Sequence, residues 1–372
     1  MPMEGTFFSA DGHVVEPPDL WTGRIEPRFR DHAPRIESLP DGDYYFMHGR
    51  RSAPIMGLEG TMLNEKIETG SIATFKPRRF ADVRPGAWEP RARLADQDLD
   101  NLRSEVIYPG IGLGFFALPD VEFQRAVFRA YNDWLSDFCA FAPDRLLGAG
   151  LLPVKGAVEW AIEEAERVAK KGLRAVSIQA TVPERPYGKS NEYERMWAAL
   201  QDLGLPVSIH TGTGVDLGKS LSELGPGMFV LENKICVMMR AVGELIWSGV
   251  PQRYPKIRFA LVEGGIGWIA SLLRFMDHWW TDHHHWMEPK LDEPPSFYFH
   301  RQFWATFEDD RPGLLTRELL NVDHLMWGAD YPHTEGTFPK SREQVAKDFK
   351  GIPANEVKKM VSENGALLYG VA

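Results

Sequence analysis

Short apolar runs rich in β-branched residues alternate along this chain with longer amphipathic stretches. The runs of strand length span 6–15, 104–108, 146–154, 175–180, 206–211, 257–263, 303–308 and 325–331. Between them, apolar positions recur at three- and four-residue spacing over 121–141, 158–171, 192–203 and 266–280, the period of a helix with one buried face. Strands and helices in alternation favour a parallel sheet over separate α and β layers, and eight strands are enough to close one. The predicted fold class is therefore α/β, a (β/α)8 TIM barrel. An open doubly wound sheet is the rival, but no glycine-rich phosphate fingerprint follows any of the runs.

Two segments break the alternation. Residues 16–90, dense in proline, arginine and glycine, read as an insertion after the first strand that packs over the barrel mouth. Residues 281–300, with the run His283-His284-His285 and the pair Pro294-Pro295, are also expected near the mouth. Residues 355–370 read as closing helices. The chain has 372 residues, against roughly 250 for a bare barrel, so one domain over 1–372 with insertions is expected rather than two.

Composition narrows the function classes. The formal net charge is -10 and no basic run could track a phosphate backbone, so no nucleic-acid partner is expected and the substrate is a small molecule. No stretch of about 18 apolar residues occurs, and the first residues lack the pattern of a secretory leader, so a soluble, cytoplasmic protein with no membrane partner is expected. The two cysteines, Cys139 and Cys236, form no disulfide framework, and Cys139 sits in an apolar aromatic stretch that reads as buried helix. The 12 tryptophans are more than substrate contacts need, and some are expected in the core or at subunit contacts.

The chemistry lies where strands end. Residues at i and i+2 of a strand share a face, so Asp11 and His13 at the end of the first run point inward together. The run Val207-Ser208-Ile209 ends in His210 followed by a glycine-rich loop, and Met326-Trp327-Gly328-Ala329 ends in Asp330. A buried carboxylate is costly unless paired or bound to a cation, and the C-terminal ends of barrel strands are where active sites form. Three strand ends converging on ligand-type residues point to a metal site. Glu263 ends a fourth run, as a general base or a further, bridging ligand, with orientation of a neighbouring ligand as the structural alternative. His333 lies three residues beyond Asp330 at the expected mouth, where it is a candidate further ligand, whereas the histidines of 283–285 are expected to be solvated, with a further metal ligand as the alternative. Arg78, Arg79 and Arg84 in the insertion are candidates to clamp a substrate carboxylate.

The segments SADGHVVEPPDLW, SIHTG, LVEGGIGW, WGADYPHTEGTFP and SENGALLYG resemble the amidohydrolase-related family that includes aminocarboxymuconate-semialdehyde decarboxylase and aromatic-acid decarboxylases. The likeness runs from the first strand to the last helix. It implies a divalent metal held by Asp11, His13, His210 and Asp330, and a homodimer or pairing with a related subunit. Much of the superfamily has His-x-His on the first strand, where this chain has Asp11-Gly12-His13. The family's decarboxylases carry a histidine at the end of the sixth strand, where this chain has Glu263. The modified fourth-strand lysine that bridges two metals in other members has no counterpart in Ala175-Val176-Ser177-Ile178-Gln179.

Two imidazoles against three carboxylates make a hard, oxygen-rich donor set, which leans towards Mn or Fe and leaves Zn open, with one or two ions per chain. The leading expectation is hydrolysis of a small carboxylate-bearing substrate by metal-activated water, with Asp330 or Glu263 taking the proton and His333 assisting. A dinuclear Fe or Mn/Fe oxygen-dependent hydroxylase is the alternative, followed by decarboxylation. A partner subunit without turnover is the non-enzymatic reading.

Overall fold

A computed structural model describes residues 5–55, 77–188, 191–213, 223, 225 and 227–371. Eight parallel strands form one sheet in the order β1 (Phe7–His13), β5 (Leu102–Tyr108), β6 (Leu146–Leu151), β7 (Ala175–Ile178), β8 (Val207–His210), β9 (Phe259–Val262), β10 (Phe303–Phe307) and β11 (Leu325–Trp327). The ring closes at a parallel bridge between Gly12 and Tyr331, where the Asp330 N–H donates to Asp11 O at 3.0 Å and the His13 N–H to Tyr331 O at 2.5 Å. The fold is the (β/α)8 barrel; seven of the eight apolar runs contain one of its strands, and the run 104–108 falls inside β5, which begins two residues earlier.

Side chains fill the barrel interior. Phe8, Ala10, Val106, Leu147, Ala149, Ala260, Val262 and Met326 pack together, and Leu368, Tyr369 and Val371 from the end of the chain join them. Outside the ring, Val121–Ala140, Val158–Lys170, Glu194–Leu203 and Ile269–His283 lay their apolar faces on the strands, within three residues of the helical stretches expected. Asp120 caps the first of these by accepting the Glu122 and Phe123 N–H groups, which sets its start. The helix Val237–Trp247, which the sequence reading did not single out, completes the wall between β8 and β9. Cys139 is buried, as expected, and Cys236 is exposed.

The segment after β1 holds a small antiparallel sheet, β2 (Arg35–Leu39), β3 (Gly42–Met47) and β4 (Arg50–Pro54). Its Tyr45, and Ile55 just after β4, pack with Val15, Val83 and Ala87, next to the C-terminal end of β1. Residues 56–76 of the expected insertion lie outside the described residues.

The expected place of 281–300 needs correction. Ile269–His283 starts behind the C-terminal end of β9 and runs back along the barrel, while Pro295–Gln302 leads directly into β10. The segment therefore lies at the N-terminal end of the barrel, opposite the mouth. There the Gln252 amide donates to Lys290 O and the Trp280 indole to Leu291 O.

Candidate metal centre

The first strand owes its site to an irregularity. Phe8 and Ala10 point into the barrel, and simple alternation would send Gly12 the same way. The pairing of β1 with β5 instead slips between Ser9 and Gly12, which shifts the phase by one and brings Asp11 and His13 to the inner side. Gly12 then faces outward, where a Cβ would come within 2.5 Å of the Glu105 carboxylate. Across the seam, a Cβ on Gly328 would meet the Asp11 Cβ at 2.6 Å. Both glycines are required by close approach.

The other groups enter from strand ends. His210 closes β8, Glu263 follows β9, Glu308 follows β10 and Asp330 stands three residues after β11. Glu263 and Asp330 take left-handed backbone conformations, with φ of 63° and 54°. Such conformations are uncommon for residues with a side chain and cluster at functional sites. The Glu263 N–H donates to Thr306 Oγ1 at 2.8 Å, which secures that turn.

Asp11, His13, His210 and Glu263 offer donor atoms that all lie within 4.8 Å of one another. His13 Nε2 is 3.5 Å from Asp11 Oδ1 and 4.0 Å from Glu263 Oε2; His210 Nε2 is 3.5 and 3.6 Å from the same two oxygens. Asp330 belongs to two adjoining groups, one with His13 and His333 and one with Asp11 and Glu308. Its Oδ1 lies 3.2 Å from His13 Nε2 and 2.9 Å from His333 Nδ1.

These residues fit a cation. The Nδ1 atoms of His13 and His210 lie 2.8 Å from Pro109 O and 2.9 Å from Thr211 O, so each ring donates from Nδ1 and presents a bare Nε2 to the centre. Those two Nε2 atoms, both Asp11 oxygens and Asp330 Oδ2 are buried and have no hydrogen-bond partner. Five such orphans around one point would each carry a desolvation penalty unless a ligand satisfied them.

Electrostatics divide the carboxyl groups. Burial pushes Asp11 and Asp330 upward, but the interaction of Asp11 with His13 and His210, and of Asp330 with His333 and His13, outweighs it and holds both below the usual carboxylate range. Burial lowers the proton affinity of His13 and the carboxylates of Asp11 and Asp330 raise it more, so a proton and a cation compete for His13 Nε2. Glu308 moves the other way. Burial and then repulsion from Asp330 push it well above its ordinary value, with the Lys234 ammonium opposing.

Four of the five expected ligands thus meet in one group, and Asp330 adjoins it through His13 and Asp11. His333 is beside Asp330 as expected. His283, His284 and His285 are not at the centre: they lie at and just past the end of a helix at the far side of the barrel, where His284 Nδ1 lies 2.9 Å from Trp280 O and the His283 ring lies tilted against Trp279. The arginine clamp is not borne out for two of its three candidates. Arg79 donates to Leu39 O and Asp43, and Arg84 forms a two-pronged pair with Asp96, so both hold the loops together. Arg78 joins the same scaffold through its backbone, to Ile55 and Asp43. The sequence reading missed Glu308, although it ends the seventh apolar run in the position that singled out Glu263. It also missed Lys234, which carries no strand-end signal.

A closed parallel barrel whose mouth gathers imidazoles and carboxylates from five strands defines the metal-dependent barrel enzymes. Within that class the chain belongs to the amidohydrolase family, whose model matches residues 32–371. A relative from Dictyostelium discoideum, 2-amino-3-carboxymuconate-6-semialdehyde decarboxylase, is 24% identical over 191 residues, half of this chain and half of the relative's length. Among solved structures, an amidohydrolase from Mycobacterium avium subsp. paratuberculosis superposes with a TM-score of 0.81 at 20% identity, covering 99% of this chain and 100% of the other. A 5-carboxyvanillate decarboxylase from Novosphingobium aromaticivorans, solved with bound manganese and a nitrobenzoic acid, gives 0.62 at 20% identity, covering 75% and 80%.

Proposed function

We propose that the protein hydrolyses a small carboxylate-bearing organic substrate, with a divalent cation held by Asp11, His13, His210 and Glu263. The observation that carries this reading is the convergence of buried, unpartnered donor atoms from Asp11, His13 and His210 beside Asp330 and Glu308. When bound, the cation supplies Lewis acidity, polarising a substrate oxygen and bringing a water's pKa towards neutrality. The oxygen-rich donor set favours Mn or Fe.

The chain's own groups divide the proton work. Asp330 keeps Oδ2 bare while His333 holds Oδ1, so an ionised carboxylate faces the centre and accepts a proton. Glu308, whose proton affinity is raised by burial and by repulsion from Asp330, is the matching donor to a leaving group. Two neighbouring carboxyls pushed apart in this way mark a base and an acid. Glu263 is less suited to be the base, because Lys234 and Thr211 each occupy one of its oxygens.

Decarboxylation is the second reading, supported by the decarboxylase relative and the manganese-bound decarboxylase neighbour. It requires Glu308 to protonate the carbon left behind. A third reading follows from the group Asp11, Glu308 and Asp330, which offers a second cation position and with it oxygen chemistry. One set of assays separates them. Manganese-loaded protein is given esters, lactones and free acids of small aromatic carboxylates while acid release, carbon dioxide and dioxygen uptake are followed. Acid release without gas exchange is expected. Carbon dioxide release as the sole signal overturns hydrolysis, and dioxygen uptake with two Fe or Mn per chain supports the third reading.

A further inference from the structure

Lys234 brings a donor group to the candidate metal centre from outside the strand ends. It sits in a π-helical turn, Leu231–Cys236, that runs into the helix Val237–Trp247. Turns of this kind add a residue to a helix and recur at functional sites, because they displace one side chain from the regular face. Lys234 Nζ lies 2.6 Å from Glu263 Oε1, and Thr211 Oγ1 donates to Glu263 Oε2 at 3.0 Å. The two Glu263 oxygens therefore have separate duties: Oε1 is turned out to the ammonium, and Oε2 is turned in, 3.6 Å from His210 Nε2. Lys234 also lines, with Glu308, Thr337 and Phe338, a cavity of about 630 Å³ beside the centre.

We infer that Lys234 is a positioning residue that holds Glu263 as a one-oxygen ligand and so keeps room at the cation for substrate. A carboxylate free at both oxygens can chelate a divalent ion, and a chelating Glu263 would fill space that the reaction needs. The ammonium prevents this by binding Oε1, and its own positive charge lowers the affinity of the site for a cation. The side chain thus gives up metal affinity to keep the site open. This inference rests on the metal-site reading above.

The direction of the effect tests it, because general damage to the site would weaken metal retention. Wild-type, Lys234→Met and Lys234→Arg proteins are purified with manganese, and the metal retained is measured against graded EDTA, alongside circular dichroism and turnover. Lys234→Met is expected to hold manganese against about tenfold more EDTA, the scale on which outer partners of ligands act, while turnover falls. Lys234→Arg is expected to retain the wild-type behaviour in both. Equal or weaker retention in a folded Lys234→Met protein overturns the inference and leaves the metal site standing. Wild-type protein that retains no manganese overturns the metal site and this inference with it.

Discussion

Asp330 and Glu308 are neighbours with opposite tasks, and single substitutions separate them. Asp330→Asn removes the proton acceptor while keeping the shape of the side chain, so turnover is expected to fall by about 10²–10⁴-fold with the far-ultraviolet spectrum unchanged. Glu308→Gln removes a proton donor and replaces a carboxyl whose ionised form is disfavoured by burial and by Asp330. Its turnover is expected to fall by about 10²-fold while its melting temperature holds or rises. Loss of activity together with loss of stability would make Glu308 a structural group. Legibility at this scale followed position. Asp11, His13, His210, Glu263 and Asp330 could be found because each ends an apolar run, and a ligand-type residue there is conspicuous. Lys234 could not be found because a π turn breaks the helical period, and nothing in sequence marks which lysine reaches inward.

At the scale of elements, the bulged first strand depends on a buried ion pair behind it. Arg93, from the helix Pro90–Leu99, makes a two-pronged contact with Glu105 on β5 at 2.5 and 2.7 Å and donates to His13 O at 2.8 Å. Its guanidinium also stacks 4.2 Å from the Tyr331 ring centroid. Removing one partner of such a pair leaves an uncompensated charge, so Arg93→Met is expected to cost about 3–5 kcal/mol in denaturant unfolding. Arg93→Met with Glu105→Leu is expected to recover most of that loss. The eight strands were legible because parallel strands buried on both faces read as continuous apolar runs. The slip between Ser9 and Gly12 was not, since it depends on the register with β5, where Ser9 pairs with Glu105 and Gly12 with Ile107, far along the chain.

A second elemental link has a pH signature. Glu16, just past β1, accepts the Ile111 and Gly112 N–H groups at 3.2 and 3.0 Å and so ties the first loop to the one after β5. Burial raises its pKa from 4.5 to about 7, against the pull of those hydrogen bonds. The folded state therefore binds a proton more tightly than the unfolded chain. The resulting stability is fully present below pH ~4.5 and is lost as pH rises towards 7, by up to about 3 kcal/mol. Chemical denaturation at pH 5 and pH 7.5 is expected to show this fall in wild type and a shallower one in Glu16→Gln. Parallel curves for the two proteins would remove Glu16 as the cause.

The whole molecule closes where its first and last barrel strands meet. Asp11 and His13 lie on one side of that join and Asp330 on the other, held by two backbone hydrogen bonds and the Gly12 to Tyr331 bridge. Among the described residues, no helix is long and apolar enough to cross a membrane. The regions at 281–300 and 16–90 were harder to place from sequence than the strands, because irregular segments carry no periodicity that reports which end of the barrel they serve. The closure itself has a further consequence. An ion held by Asp11 and His13 on one lip and drawn electrostatically to the ionised Asp330 on the other would act as a clasp, fastening the opening stretch of the polypeptide to its closing stretch. Amide exchange across 7–13 and 325–331 is expected to slow on manganese loading far more than exchange in β6 or β7, which contribute no ligand. A uniform response around the ring would mean that the clasp does not exist.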